Sequence, residues 1–273
     1  MTLALRLSEH QFEPGGRVRI LPSPNQGGAI SPSYLVLHYT AGGSLDGSVA
    51  HFMRRDAQAS AHLVVGRDGR VVQMVPFNRA AWHAGRSAWK GLRGLNQHSI
   101  GIEMDNAGRL NRGADGTYRA CFQDVYPAAD VVMARHRNEQ AEAYWHASTD
   151  TQVEVVLDIS RVLVRAYQLE EILGHDDIAP GRKSDPGPAF PMARVRAAVF
   201  GRSDGAHGRY RVTASLLNLR QGPGRDHRIL ARLARSTALD LLERRGDWMR
   251  VMVAGRDLCG WVSADYVEPV EWE

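Results

Sequence analysis

Lysine is all but absent from this chain of 273 residues: of 34 basic residues only Lys90 and Lys183 are lysine, and the rest are arginine. Where arginine is the default cation, a lysine marks a place suited to a compact ammonium. Cysteine is equally scarce. Cys121 and Cys259 lie far apart with no CxxC pair, which argues against a disulfide scaffold and leaves two buried free thiols as the expectation. No stretch approaches the roughly 20 apolar residues of a membrane helix. The opening MTLALRLSEHQFEPGGR has no basic leader ahead of a sustained apolar core, so no secretory signal is expected. The net charge is only +4, with arginines scattered rather than gathered in a stripe, and no nucleic-acid surface is expected.

What is present is an ordinary globular composition, long enough for one large and one small domain. The stretch Gly201–Arg209 (GRSDGAHGR) is rich in glycine and polar residues and reads as a linker. The domains expected are therefore 1–200 and 209–273, joined by 201–208. In the first, SYLVLHYT (from Ser33), AHLVVG (from Ala61), RVVQMV (from Arg70) and HSIGIEM (from His98) are apolar runs fit for strands. The second and third form a hairpin through Arg67-Asp68-Gly69. Ser44–Arg55 and Thr151–Leu169 carry apolar residues at helical spacing, and Val155, Val156, Ile159, Val162, Leu163 and Ala166 make one face of the latter. A short helix is expected from Pro191 to Phe200. Ala107–Trp145 is polar and reads as an excursion beside the sheet, ending in a charged helix. The fold class is α/β, a mixed central sheet flanked by helices. After the linker, short strands separated by Gly222-Pro223-Gly224 and Gly246-Asp247 predict a small all-β barrel.

Eight of the eleven histidines lie between His38 and His175. His38 ends a buried strand, His175 follows a helix, and Asp185 comes ten positions later. Two imidazoles and a carboxylate from separate elements suit a tetrahedral zinc with one open position, although a lone histidine on a strand is more often structural.

The segments YLVLHYT, SAHLVVGRDGRVVQMVP, AAWHAG, LNQHSIGIEMDNAG and GHDDIAPGRKSDPGPAF occur in one order between about Ser23 and Phe190. Together they resemble the zinc-dependent N-acetylmuramoyl-L-alanine amidase family shared by phage lysozyme-type amidases, bacterial muropeptide amidases and peptidoglycan recognition proteins. The resemblance implies one zinc ion per chain, bound by His38, His175 and Asp185. It implies Glu103 as catalytic carboxylate and Lys183 as the group that stabilises the oxyanion. His62, Trp82, His83 and Asn96 match positions lining the family's groove, where they hold substrate or order the strands. A tyrosine that some relatives carry before the histidine equivalent to His62 is Ala61 here, which leaves more of the work to Glu103. Residues LNLRQGPG, GDW and GWVSADYV place the second domain with bacterial SH3-like domains. Trp248 and Trp261 are read as core there. The implied partner is peptidoglycan or a muropeptide, and the implied site of action is the cell wall. A non-catalytic peptidoglycan binder and a zinc peptidase acting within the stem peptide are the alternatives. The sequence does not give the oligomeric state.

Overall fold

The apolar runs assemble side by side into the middle of one sheet. The computed structural model describes residues 5–200, 209–253 and 258–270, so the 201–208 linker lies outside the described residues. The chain divides into two compact units, Met1–Arg196 and Ala197–Glu273.

In the first unit six strands, β1 (Val18–Ile20), β2 (Tyr34–Tyr39), β3 (Leu63–Val65), β4 (Val71–Gln73), β5 (Ser99–Met104) and β6 (Glu171–Gly174), pair in the order β6-β2-β5-β3-β4-β1. β6, β2, β5 and β3 run parallel. β4 turns back against β3 as the expected hairpin, with β1 parallel to β4. Strands of a parallel sheet are covered on both faces, which is why β2 reads as a continuous apolar run. Leu35, Leu37, Ile100 and Ile102 are fully buried on one face. The other face packs Val64 and Val72 against Leu45, Val49 and Phe52 of helix α1 (Leu45–Phe52). Ser44 caps α1 by accepting from the Gly47 amide.

Helix α2 (Asp150–Tyr167) is capped by Thr149. Its Gln152 amide donates to the carbonyls of Val65 (3.0 Å) and Asp105 (3.1 Å), tying the helix to the ends of β3 and β5. The expected apolar face holds through Leu163, but Ala166 is exposed. The chain leaves α2 through Gln168 at φ +52° and buries Leu169 instead. Helix α3 (His175–Ile178) and the first residues of α4 (Met192–Val199) complete the unit.

The excursion lies beside this sheet but contains no charged helix. Its strands pair antiparallel in the order Val125–Tyr126, Tyr118–Arg119, Arg109–Arg112, Glu142–His146, Val131–Arg135. Period-two burial prevails over the helix-favouring charges: Ala143 and Trp145 point inward from Glu142–His146. Cys121 sits in the exposed turn Ala120–Asp124, contrary to the expected burial, and Cys259 is half-buried; both are free.

In the second unit seven strands form one sheet around Leu217, Leu219, Leu239, Val251 and Val262. Arg209–Val212, Ile229–Ala234 and Val267–Val270 join the strands foreseen from the sequence. Trp261 is buried, as expected. Trp248 is half-buried and lines a groove of about 380 Å³ with Leu216, Arg220, Arg225 and Tyr266.

Candidate metal centre

His38 is the last residue but one of β2 and β6 runs into α3 at His175, so the two histidines emerge at the same end of adjacent parallel strands. The Asp176 amide donates to the Asp185 carbonyl at 2.9 Å and folds the loop after α3 back over them. Three side-chain atoms converge as a result. His38 Nδ1 and His175 Nδ1 lie 2.8 and 2.9 Å from Asp185 Oδ2 and 2.9 Å from one another. All three residues are buried.

The far nitrogens fix which atoms carry lone pairs. The Ser99 hydroxyl donates to the Leu95 carbonyl (2.6 Å) and so accepts from His83 Nε2 (3.4 Å). His83 Nδ1 must then accept from His38 Nε2 (2.9 Å), leaving the His38 Nδ1 lone pair free. His175 Nε2 donates to the Ala84 carbonyl (3.1 Å) with the same consequence. Burial lowers His38 to about 4, so the ring is neutral at pH 7. Asp185 lies below its usual carboxylate range despite burial, through its closeness to His175 and His38, and is ionised. Two imidazole Nδ1 atoms and one ionised carboxylate thus converge on a single point. This donor set fits a metal held by three protein ligands, as zinc is.

The centre opens into a cavity of about 850 Å³, walled in part by Trp82, Glu103, Phe122 and Lys183. Glu103 faces His38 across the β2–β5 register. Its Oε2 is buried with no hydrogen-bond partner. Burial raises its pKa well above the usual carboxylate value, Asp185 adds to the rise and Lys183 opposes it. Lys183 itself is exposed on the cavity wall.

A match to the N-acetylmuramoyl-L-alanine amidase family spans residues 28–188, which contain every residue of this centre. The chain belongs to the N-acetylmuramoyl-L-alanine amidase family. A second match, to the bacterial SH3 domain, covers residues 215–268 of the all-β unit. The chain is 35% identical over 144 residues to the 1,6-anhydro-N-acetylmuramyl-L-alanine amidase AmpD of Escherichia coli, covering 52% of this chain and 59% of that protein. It is 35% identical over 176 residues to the N-acetylmuramoyl-L-alanine amidase AmiD of the same organism, covering 61% and 53%. The matched region thus spans little more than half the length of these curated relatives. Among solved structures, a selenomethionine AmpD derivative superposes with a TM-score of 0.50 at 29% identity, covering 71% of this chain and 99% of that one.

Within the amidase unit, three of the four candidate groove residues work inside the protein. His62 accepts from the Gly101 amide at Nδ1 and donates to the Arg79 carbonyl at Nε2, both at 2.9 Å, leaving no nitrogen for substrate. Asn96 Oδ1 accepts from the amides of His83 (3.0 Å) and Ala84 (2.7 Å), holding the loop that carries both. His83 backs His38, and a Cβ at Gly101 would sit 2.3 Å from its ring. Trp82 alone keeps a half-exposed face on the cavity without such a task among the described residues. Sequence reasoning missed Ser99, whose hydroxyl anchors the His38 relay, and Tyr39, which lines the cavity with its hydroxyl 2.8 Å from Ser184 Oγ. Burial pushes Tyr39 up to about 12, so it stays protonated as a donor. A hydroxyl's part in a relay has no sequence spacing of its own to betray it.

The placement of His62 sets an acid limit on stability. Burial lowers it to about 4 in the folded protein. The unfolded chain takes up a proton on this ring below about pH 6.5, while the folded chain does not until near pH 4. Stability from this group is therefore complete above pH 6.5 and is lost as the pH falls toward 4. At ~1.4 kcal/mol per unit the loss is about 3 kcal/mol. His62→Gln is expected to shrink the fall in unfolding free energy between pH 6.5 and 4.5. An unchanged fall in denaturant titrations at the two pH values would refute this.

Proposed function

We propose that the chain hydrolyses the amide between the lactyl group of N-acetylmuramic acid and L-alanine in peptidoglycan, with one zinc ion held by His38, His175 and Asp185. The observation that carries this reading is the convergence of three inward donor atoms beside a buried, unpartnered carboxylate in an open cavity. A protein that only bound peptidoglycan would need neither. AmpD and AmiD, the relatives named above, are amidases of muramyl–L-alanine amides by name.

Zinc bound there supplies a Lewis acid for the scissile carbonyl and acidifies the attacking water. Glu103 takes the proton from that water and delivers it to the leaving amine of L-alanine. Its raised pKa suits it to both tasks, because a carboxylate that binds protons tightly is the stronger base. The Lys183 ammonium faces the cavity, where it offsets negative charge developing on the carbonyl oxygen. The His83–Ser99 relay keeps His38 in the tautomer that presents Nδ1. Trp82 offers an aromatic wall to the substrate.

In this reading residues 1–200 form the catalytic domain, and residues 209–273 after the 201–208 linker hold the enzyme to the wall. The site of action is then the cell wall. No described helix is long and apolar enough to cross a membrane. Mass spectrometry of sacculi digested by the protein tests the bond. Free stem peptides beginning in L-alanine, with glycan strands bearing unsubstituted lactyl groups, are the expected products. New reducing sugar ends, or cuts confined to the peptide, would overturn the assignment.

A further inference from the structure

The zinc reading assigns no role to a buried polar cluster at the outer side of the ligand loop. Strand Val131–Arg135 of the excursion runs into His136, which is 2% exposed. His136 Nδ1 accepts from the Asn138 amide (3.2 Å), so Nε2 is the donor, and it lies 3.0 Å from Asp176 Oδ2. Arg137 Nε reaches the same oxygen at 3.2 Å, and its guanidinium also pairs with Asp177. The Asn138 side chain donates to the Asp176 carbonyl at 3.4 Å. On the opposite flank Trp145 packs on Gly187, where a Cβ would meet the indole ring at 3.1 Å. His136 and Trp145 are themselves in ring contact, with centroids 5.8 Å apart, and the Trp145 indole donates to the Ala134 carbonyl at 2.9 Å.

These contacts bracket the ligands. Asp176 follows His175 directly, and its amide holds the Asp185 carbonyl. Gly187 lies two residues beyond Asp185. The excursion therefore grips the His175–Asp185 segment at both ends through groups that never touch the ligating atoms. From inside the domain the segment is tied by the Asp177 carboxylate, which accepts from the Gly174 amide (2.6 Å) and from Arg196 (2.7 Å). Without the outer grip, Asp176 would be a buried carboxylate that has lost its principal partners, a costly arrangement that the loop relieves by moving. Movement of Asp176 draws with it the amide that positions Asp185.

We propose that the excursion is a brace for the zinc site, with His136, Arg137 and Trp145 as positioning residues that fix the distance between His175 and Asp185. The proposal rests on the zinc reading given above. It extends to this strand pair the rule that groups behind the ligands set metal affinity.

The test is zinc affinity of the full chain, measured by competition with a chromophoric chelator, beside the melting temperature of the zinc-free protein. His136→Ala is expected to raise the zinc dissociation constant about tenfold or more. His136→Gln, which restores an N–H donor at similar reach, is expected to recover most of the affinity. Met133→Ala, on the same strand but 58% exposed, is expected to leave it unchanged. Arg137→Gln, whose side chain is 46% exposed, is expected to weaken zinc in the same direction and guards against a His136→Ala chain that fails to fold. If His136→Ala lowers the melting temperature but binds zinc as tightly as the unaltered chain, the brace is overturned and the cluster is merely structural. If the unaltered chain takes up no zinc, the metal reading falls and the brace with it.

Discussion

Removing zinc with a chelator is expected to abolish amide hydrolysis, and returning zinc is expected to restore it. The effect is total because, in the proposed mechanism, the metal would supply both the polarisation of the carbonyl and the acidity of the attacking water. The His38, His175 and Asp185 donors are all lone pairs and negative charge, and such a set cannot polarise a carbonyl by itself. The fold should survive the treatment. The sheet core around Leu35, Leu37, Ile100 and Ile102 is fully buried without the metal, and His62, His83 and Asn96 hold their partners without it. Elemental analysis should give one zinc per chain, and circular dichroism of the stripped protein should stay that of a folded chain. A metal-free preparation with undiminished turnover would end the zinc mechanism.

Glu103→Gln is expected to cost about a hundredfold or more in kcat, the scale of losing a general base, while zinc binding is retained. The substitution keeps the shape of the side chain and removes its capacity to take a proton. Glu103 contributes no ligand atom to the His38–His175–Asp185 set, so metal content separates a lost base from a lost site. Lys183→Ala is expected to produce a loss of similar order through the oxyanion, with the fold intact because the side chain is exposed. Near-normal turnover in either variant, measured on a soluble muropeptide, would remove that residue from the mechanism.

Much of this arrangement was legible in the residues. The β2, β3, β4 and β5 runs announce themselves because a parallel sheet buries both faces of its strands. Glu103 stands out because it interrupts such a run, between the buried Ile102 and Met104. The His38–His175–Asp185 cluster was legible through the family motifs rather than through spacing, since 137 positions separate His38 from His175. Three things escaped. The excursion's charges suggested a helix, yet alternate burial of Ala143 and Trp145 makes a strand. His62 and Asn96 share motifs with the cavity wall, and only their hydrogen-bond partners reveal that they face inward. The His136–Asp176 pair joins positions 40 apart, and neither residue belongs to a motif that would link them.

The distance between the ligands also orders events during synthesis. His38 leaves the ribosome long before Asp185, which closes a loop of 147 residues against it. A chain arrested anywhere before that aspartate offers at most two of these donors, and one arrested before Glu171 only a single imidazole on a strand whose β6 neighbour does not yet exist. Under the proposed zinc reading, metal capture would be postponed until nearly the whole first unit has been made, and a nascent fragment holding Glu103 would be hydrolytically silent. Under the proposed zinc reading, metal loading would report that translation has passed Asp185 and that the loop carrying it has closed on His38.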